Sequence, residues 1–160
     1  LILYLDTSAL VKLYDLEEGR DLVEQAVDEA AVLATSSVAY AEARASLARK
    51  RREEVFSDEE LREAVAALDG DWQTFETFAV TENVARLAGA LAERHSLRGF
   101  DAIHLATALL IRAAAAEEAG EEAEDTTRFL SFDGLLSREA EKTMYIYETE
   151  PRQDDSGQGS

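Results

Sequence analysis

Four acidic residues stand where an unaccompanied charge is costly. Asp6 closes the apolar run Leu1 to Leu5, and Asp133 closes the run Arg128 to Phe132. Asp101 opens the most apolar segment of the chain, Ala102 to Ala116, and Glu42 lies among Ala39, Ala41, Ala43 and Ala45. An ionised carboxylate beside such neighbours is expensive to desolvate unless it is paired or on a metal. Carboxylates brought together repel one another, and a divalent cation among them removes that penalty. Oxygen donors suit hard cations, so Mg²⁺ or Mn²⁺ is the expected ion, through which water can attack a phosphodiester. The chemistry expected of the set is metal-assisted hydrolysis.

The elements that must gather these acids are legible from the apolar pattern. Leu1 to Leu5 is too short for a helix and reads as a buried strand, and Asp6-Thr7-Ser8 leads into a helix carrying Leu10, Val11, Leu13 and Tyr14 to about Leu16. Gly19 breaks the chain, a helix follows from Arg20 to Ala30, and Ala31 to Thr35 reads as the second strand. Ser36 and Ser37 offer caps for a helix that ends on the basic cluster Arg49 to Arg52. Ser57 and Glu60 form a capping box, and Leu61, Val65, Leu68, Trp72 and Phe75 continue from it as one helical stripe. Ala79-Val80 is short and extended, and a helix from about Val84 ends near His95. Gly99 separates that helix from the buried helix starting at Ala102. Arg128 to Phe132 reads as a third strand, Leu135 to Glu141 as a short helix, and Met144 to Tyr147 as a last strand. Short apolar strands alternating with helices predict an α/β fold, a doubly wound, mostly parallel sheet with helices on both faces. In such sheets ligands bind beyond the carboxyl ends of the strands, which is where Asp6 and Asp133 fall.

Composition narrows the classes. At 160 residues and 46% hydrophobic, the chain makes one domain with a real core. Its 16 basic against 34 acidic residues give a net charge of −18, which excludes a general nucleic-acid coating protein. With no cysteine and two histidines, disulfides, thiol nucleophiles and thiolate zinc sites are excluded. The apolar stretch Leu105 to Ile111 falls far short of the roughly 20 residues that span a bilayer, so a cytoplasmic protein with no membrane contact is expected. Six acids between Glu117 and Asp125 mark a solvated segment, and the chain from about Glu150 onward reads as a disordered tail.

Several side chains have two readings. Thr7 and Ser8 either cap the first helix or touch water at the metal. His104 falls three residues after Asp101 on the same helix face, where it either orients a carboxylate or water or serves as a hydrogen-bonded core residue. The basic cluster Arg49 to Arg52 with Arg44 before it, Arg44, Arg49 and Arg51 foremost, is a candidate for contact with phosphate, although cations at a helix C-terminus are also favoured by the dipole.

Taken in order, Leu3-Tyr4-Leu5-Asp6-Thr7-Ser8-Ala9-Leu10, Ala41-Glu42, Asp101-Ala102-Ile103-His104-Leu105-Ala106-Thr107-Ala108 and Phe129-Leu130-Ser131-Phe132-Asp133 resemble the pattern of PIN-domain nucleases, and within them the toxins of VapBC toxin–antitoxin pairs. The resemblance spans residues 1–148, leaving 149–160 as an acidic tail. It implies an α/β/α sandwich and a Mg²⁺- or Mn²⁺-dependent endoribonuclease with Asp6, Glu42, Asp101 and Asp133 as its catalytic and metal-binding acids and Ser8 beside them. It further implies a homodimer and an antitoxin that blocks the acidic groove with a basic or aromatic segment. Ser131 stands where the family often has threonine, and 117–125 looks like an insertion. Two rivals remain at this level. An aspartate-based phosphatase requires a second acid two residues after the first, where this chain has Ser8. A non-enzymatic acidic module would bind a cation or basic peptide without cutting RNA.

Overall fold

The computed structural model describes residues 1–119 and 126–144. Four strands form one sheet in the order β3-β2-β1-β4: β1 Ile2–Leu5, β2 Val32–Ser36, β3 Glu76–Phe78 and β4 Thr127–Leu130. Every pairing is parallel, with Tyr4 opposite Ala34 and Phe129 and with Leu5 opposite Leu130. The helices are α1 Thr7–Leu10, α2 Arg20–Glu29, α3 Val38–Arg52, α4 Asp58–Asp71, α5 Glu82–His95, α6 Gly99–Ala119 and α7 Gly134–Glu141.

Alternation along β1 sends successive side chains to opposite faces, and each face has its own helices. Leu3, Leu5 and Leu130 pack with Leu10, Val23, Leu47 and Leu68 of α1 to α4. Tyr4, Ala34 and Phe129 pack with Leu91, Leu105 and Leu136 of α5 to α7. Because both faces are covered, β1 carries no polar alternation and reads as a continuous apolar run. The fold expected from the sequence is the fold observed.

Across Gly99–Glu118, α6 has a mean hydropathy of 1.3, enough by length and composition for a membrane span. Its buried side is spent on the core instead: Ala102, Leu105, Ala106 and Ala108 are fully buried, and the helix packs on α5, β2, β4 and α7.

Local departures have physical causes. The first helix is one α-turn followed by a 3₁₀ turn over Val11–Tyr14. The stripe from Leu61 to Phe75 faces the core throughout, yet α4 ends at Asp71 and a 3₁₀ turn over Trp72–Thr74 carries the chain into β3. That edge strand is exposed at all three residues, so it lacks an apolar signature, and it ends just before Ala79-Val80, where the sequence placed an extended segment and the Thr81 amide instead donates back to the Ala79 carbonyl at 3.0 Å. Ser37 precedes α3 but its side chain makes no capping bond, and the Ser36 hydroxyl is buried without a partner. The Ser57–Glu60 capping box is present in both directions. Helix α6 begins at Gly99, three residues before the sequence pattern placed it. Met144 is buried against the second core, whereas the rest of the expected last strand, the tail and 120–125 lie outside the described residues.

Candidate functional site

A cavity of about 450 Å³ opens at the carboxyl edge of the sheet, and Asp6, Glu42, Asp101 and Asp133 all line it. Topology brings them there. Asp6 ends the central strand, Glu42 lies on α3 after β2, Asp101 is in the first turn of α6, and Asp133 follows β4 as the N-cap of α7.

Asp6 is the innermost, only 3% exposed. It is also the N-cap of α1, accepting from the Ala9 amide at 2.9 Å through Oδ1. Oδ2 accepts from the Ser131 hydroxyl at 2.6 Å, and the Ser8 hydroxyl lies within 2.7 and 2.9 Å of the two oxygens. Ser8 Oγ in turn accepts from the Phe132 amide at 2.7 Å, which ties the β1 and β4 ends together. Burial pushes the Asp6 carboxyl above the usual carboxylate range, against the opposing influence of His104, Ser131, Ala9 and Ser8. An acid in that condition favours a cation beside it.

Glu42 is held from two sides. Thr7 donates to its Oε2 at 2.6 Å and His104 Nε2 lies at 2.9 Å from the same oxygen. His104 is itself buried, with Tyr4 Oη at 3.0 Å from Nδ1. The Glu42 carboxylate can only accept, so the neutral imidazole that fits here carries its proton on Nε2 toward Glu42 and takes the Tyr4 hydroxyl on Nδ1. Burial would raise the Glu42 carboxyl, but its bonds to His104 and Thr7 hold it below its ordinary value.

Asp101 and Asp133 share one partner, Arg98. Its Nε donates to Asp101 Oδ2 at 2.8 Å and its Nη2 to Asp133 Oδ2 at 3.1 Å. The other Asp133 oxygen accepts from the Leu135 and Leu136 amides at 3.0 and 2.9 Å. The guanidinium thus sits where carboxylates from two elements converge, as a stand-in for a more compact cation.

Among the described residues, no three acidic or histidine side chains are already drawn into a metal-binding cluster. The donor chemistry nonetheless fits a hard cation, being four carboxylates around one cavity, two of them already bridged by a guanidinium.

Of the supporting residues expected from the sequence, Thr7, Ser8 and His104 line the cavity. Thr7 and Ser8 do not cap α1, because Asp6 takes that role itself. Among the arginines, Arg49 lines the cavity; Arg44 instead bonds Tyr40 and pairs with Asp69, and Arg51 pairs with Asp58. Arg52, the end of the basic cluster read from the sequence, lines the cavity as well; sequence reasoning missed Arg98 as a lining residue, and Ser131 and Tyr4 as supports of Asp6 and His104. Arg98 had a signal, since it lies three residues before Asp101 as a helical pair would.

The family model for the PIN domain matches residues 3–128. The chain belongs to that family. The resemblance drawn from the sequence motifs is therefore correct. This PIN domain is 37% identical over 110 residues to Ribonuclease VapC45 of Mycobacterium tuberculosis, covering 69% of this chain and 76% of the relative. Its fold is similar to that of FitAcB from Neisseria gonorrhoeae, with a TM-score of 0.62, 15% identity and coverage of 92% and 97% of the two chains. It is also similar to a toxin–antitoxin complex from Klebsiella pneumoniae, with a TM-score of 0.52, 19% identity and coverage of 80% and 95%.

Proposed function

We propose that this PIN domain is a metal-dependent endoribonuclease, the toxin of a toxin–antitoxin pair, acting in the cytoplasm. The observation that carries the proposal is the convergence of Asp6, Glu42, Asp101 and Asp133 on one cavity in a chain 37% identical to a ribonuclease. Asp6, Asp101 and Asp133 are assigned to hold the ion, with Glu42 completing the set. Mg²⁺ or Mn²⁺ held there supplies charge neutralisation and an activated water for hydrolysis of an RNA phosphodiester.

The chain's own residues do the positioning. Ser8 and Ser131 fix both oxygens of Asp6. Thr7 and the Tyr4–His104 pair keep Glu42 ionised and aimed at the cavity. Arg49 and Arg52 line the same cavity and present positive charge to a backbone phosphate, in a molecule whose net charge of −18 otherwise repels it. Arg98 occupies two of the carboxylates that would hold the ion and would compete with it for them.

The acidic cavity is also the surface a basic antitoxin segment would seek, and charge complementarity favours fast association. The Klebsiella complex supports such a partner for this fold. A homodimer belongs to the same proposal and is checked by light scattering of the purified chain.

The test is incubation of pure protein with structured RNA and Mn²⁺, beside Asp6→Asn and Asp101→Asn. Cutting by the parent and loss of cutting in both variants is the expected result. Cation binding with no cutting by the parent would favour the non-enzymatic acidic module and overturn the proposal.

A further inference from the structure

A second cavity, about 420 Å³, adjoins the acidic one and shares Glu42, Arg98 and Asp101 with it. Its remaining wall is different in kind, being Gly99, Phe100 and Ile103 from the first turns of α6. Phe100 is 54% exposed, more than any other Phe, Tyr or Trp among the described residues. Neither core cluster includes it, so packing does not explain an aromatic ring there.

We infer that this second cavity is a nucleobase subsite, in which a base flanking the bond to be cut stacks on Phe100. The inference rests on the nuclease reading above and deepens it. Electrostatics supports the choice of occupant. A chain of net charge −18 gains little from the phosphate backbone beyond its few local arginines, so contacts to the bases must supply more of the affinity. Every base has a π-face, and an exposed ring beside a phosphate site is the usual means of holding a single strand. Continuity supports the placement: Arg98 borders both cavities, so a phosphate on its guanidinium lies beside the cavity that Phe100 walls. Gly99 leaves the cavity open, since a Cβ there meets no atom within 4 Å.

Two variants test the subsite without disturbing the core. Phe100→Ala removes the ring, and Gly99→Leu adds bulk to the cavity wall at a position where a Cβ meets no atom within 4 Å. Each is placed on Asp6→Asn, so that RNA binds without being cut, and mixed with Mn²⁺ and a single-stranded oligoadenylate carrying 2-aminopurine. Stacking quenches the fluorescence of that base. The expected result is quenching by the Asp6→Asn chain and by its Phe100→Trp form. Phe100→Ala should lose the quenching and weaken binding by about fivefold to a hundredfold, and Gly99→Leu should act in the same direction. Equal affinity and equal quenching with and without the Phe100 ring would overturn the subsite, as would a ring whose loss weakens only the binding of a basic peptide. The nuclease reading fails separately, if the intact chain with Mn²⁺ cuts no RNA; quenching that still depends on Phe100 would then leave the subsite standing.

Discussion

Removing Arg98 should tighten cation binding, because the guanidinium and the ion compete for the same oxygens. Arg98 bridges Asp101 at 2.8 Å and Asp133 at 3.1 Å, yet its own side chain is 77% exposed while those of the carboxylates are 18% and 31% exposed. Exposed pairs contribute roughly 0.2 to 1 kcal/mol each, and holding a long side chain in place costs entropy, so displacing Arg98 from its two pairs costs about 0.4 to 2 kcal/mol. At about 1.4 kcal/mol per factor of ten, Arg98→Ala should lower the Mn²⁺ dissociation constant roughly two- to thirtyfold. Titration calorimetry with Mn²⁺ reads this directly, without RNA. Arg86→Ala is the control, since Arg86 pairs only locally with Glu82 on α5 and removes the same unit of charge at a distance. Unchanged or weaker Mn²⁺ binding in Arg98→Ala, or an equal gain in Arg86→Ala, would refute the competition.

Three further outcomes are expected. Asp6→Asn should be more stable than the parent near neutral pH by on the order of 1 kcal/mol or more, because Asn also caps a helix and carries no buried charge. Since the folded Asp6 carboxyl is raised, the parent's stability is fullest below the ordinary Asp range and falls as pH rises through the raised value. Denaturation at about pH 4 and about pH 7.5 should therefore show the gap between the two chains widening with pH; a constant gap would contradict the burial argument. Thr7→Val removes a donor to Glu42, costs roughly 0.5 to 1.5 kcal/mol of stability, and lets the Glu42 carboxyl rise. The acid limb of Mn²⁺ binding should then move to higher pH, as followed by calorimetry across pH; an unmoved limb would show that His104 alone holds Glu42. Gly19→Ala meets both a φ of +93° and a contact of 2.6 Å to the Phe132 ring, and should lose about 1 to 3 kcal/mol in urea denaturation. Gly70→Ala, in α4 with no atom within 4 Å of the added carbon, should gain about 0.5 to 1 kcal/mol instead.

Asp6, Asp101 and Asp133 were legible because each stands at one end of an apolar run, and a parallel sheet brings such ends to one edge, whereas Glu42 was marked only by the alanines around it inside α3. The Ser57–Glu60 box was legible for a related reason, being wholly local. Long-range partners left no such mark: Ser131 is 125 positions from Asp6 and His104 is 100 from Tyr4, and only the β1–β4 pairing and the packing of α6 bring them together. Strand β3 was missed because an exposed three-residue edge strand has no apolar alternation to reveal it. The stripe from Leu61 to Phe75 concealed the end of α4, since an α-turn and a 3₁₀ turn keep nearly the same face. Arg98 was hidden behind Gly99, which reads as a break and is instead the first residue of α6. Asp6, Thr7 and Ser8 all carry side-chain oxygens that can cap α1, so local sequence does not choose among them, and in the fold the Ala9 amide goes to Asp6.

The account depends on a divalent ion joining acids from four separate elements. A crystal of the intact chain grown with Mn²⁺, with the ion located by its anomalous scattering, examines this most directly. The expected density lies in the cavity in contact with oxygens of Asp6, Asp101 and Asp133, with Arg98 turned away from both of its carboxylates. Density elsewhere, with Arg98 still bridging Asp101 and Asp133, would contradict it.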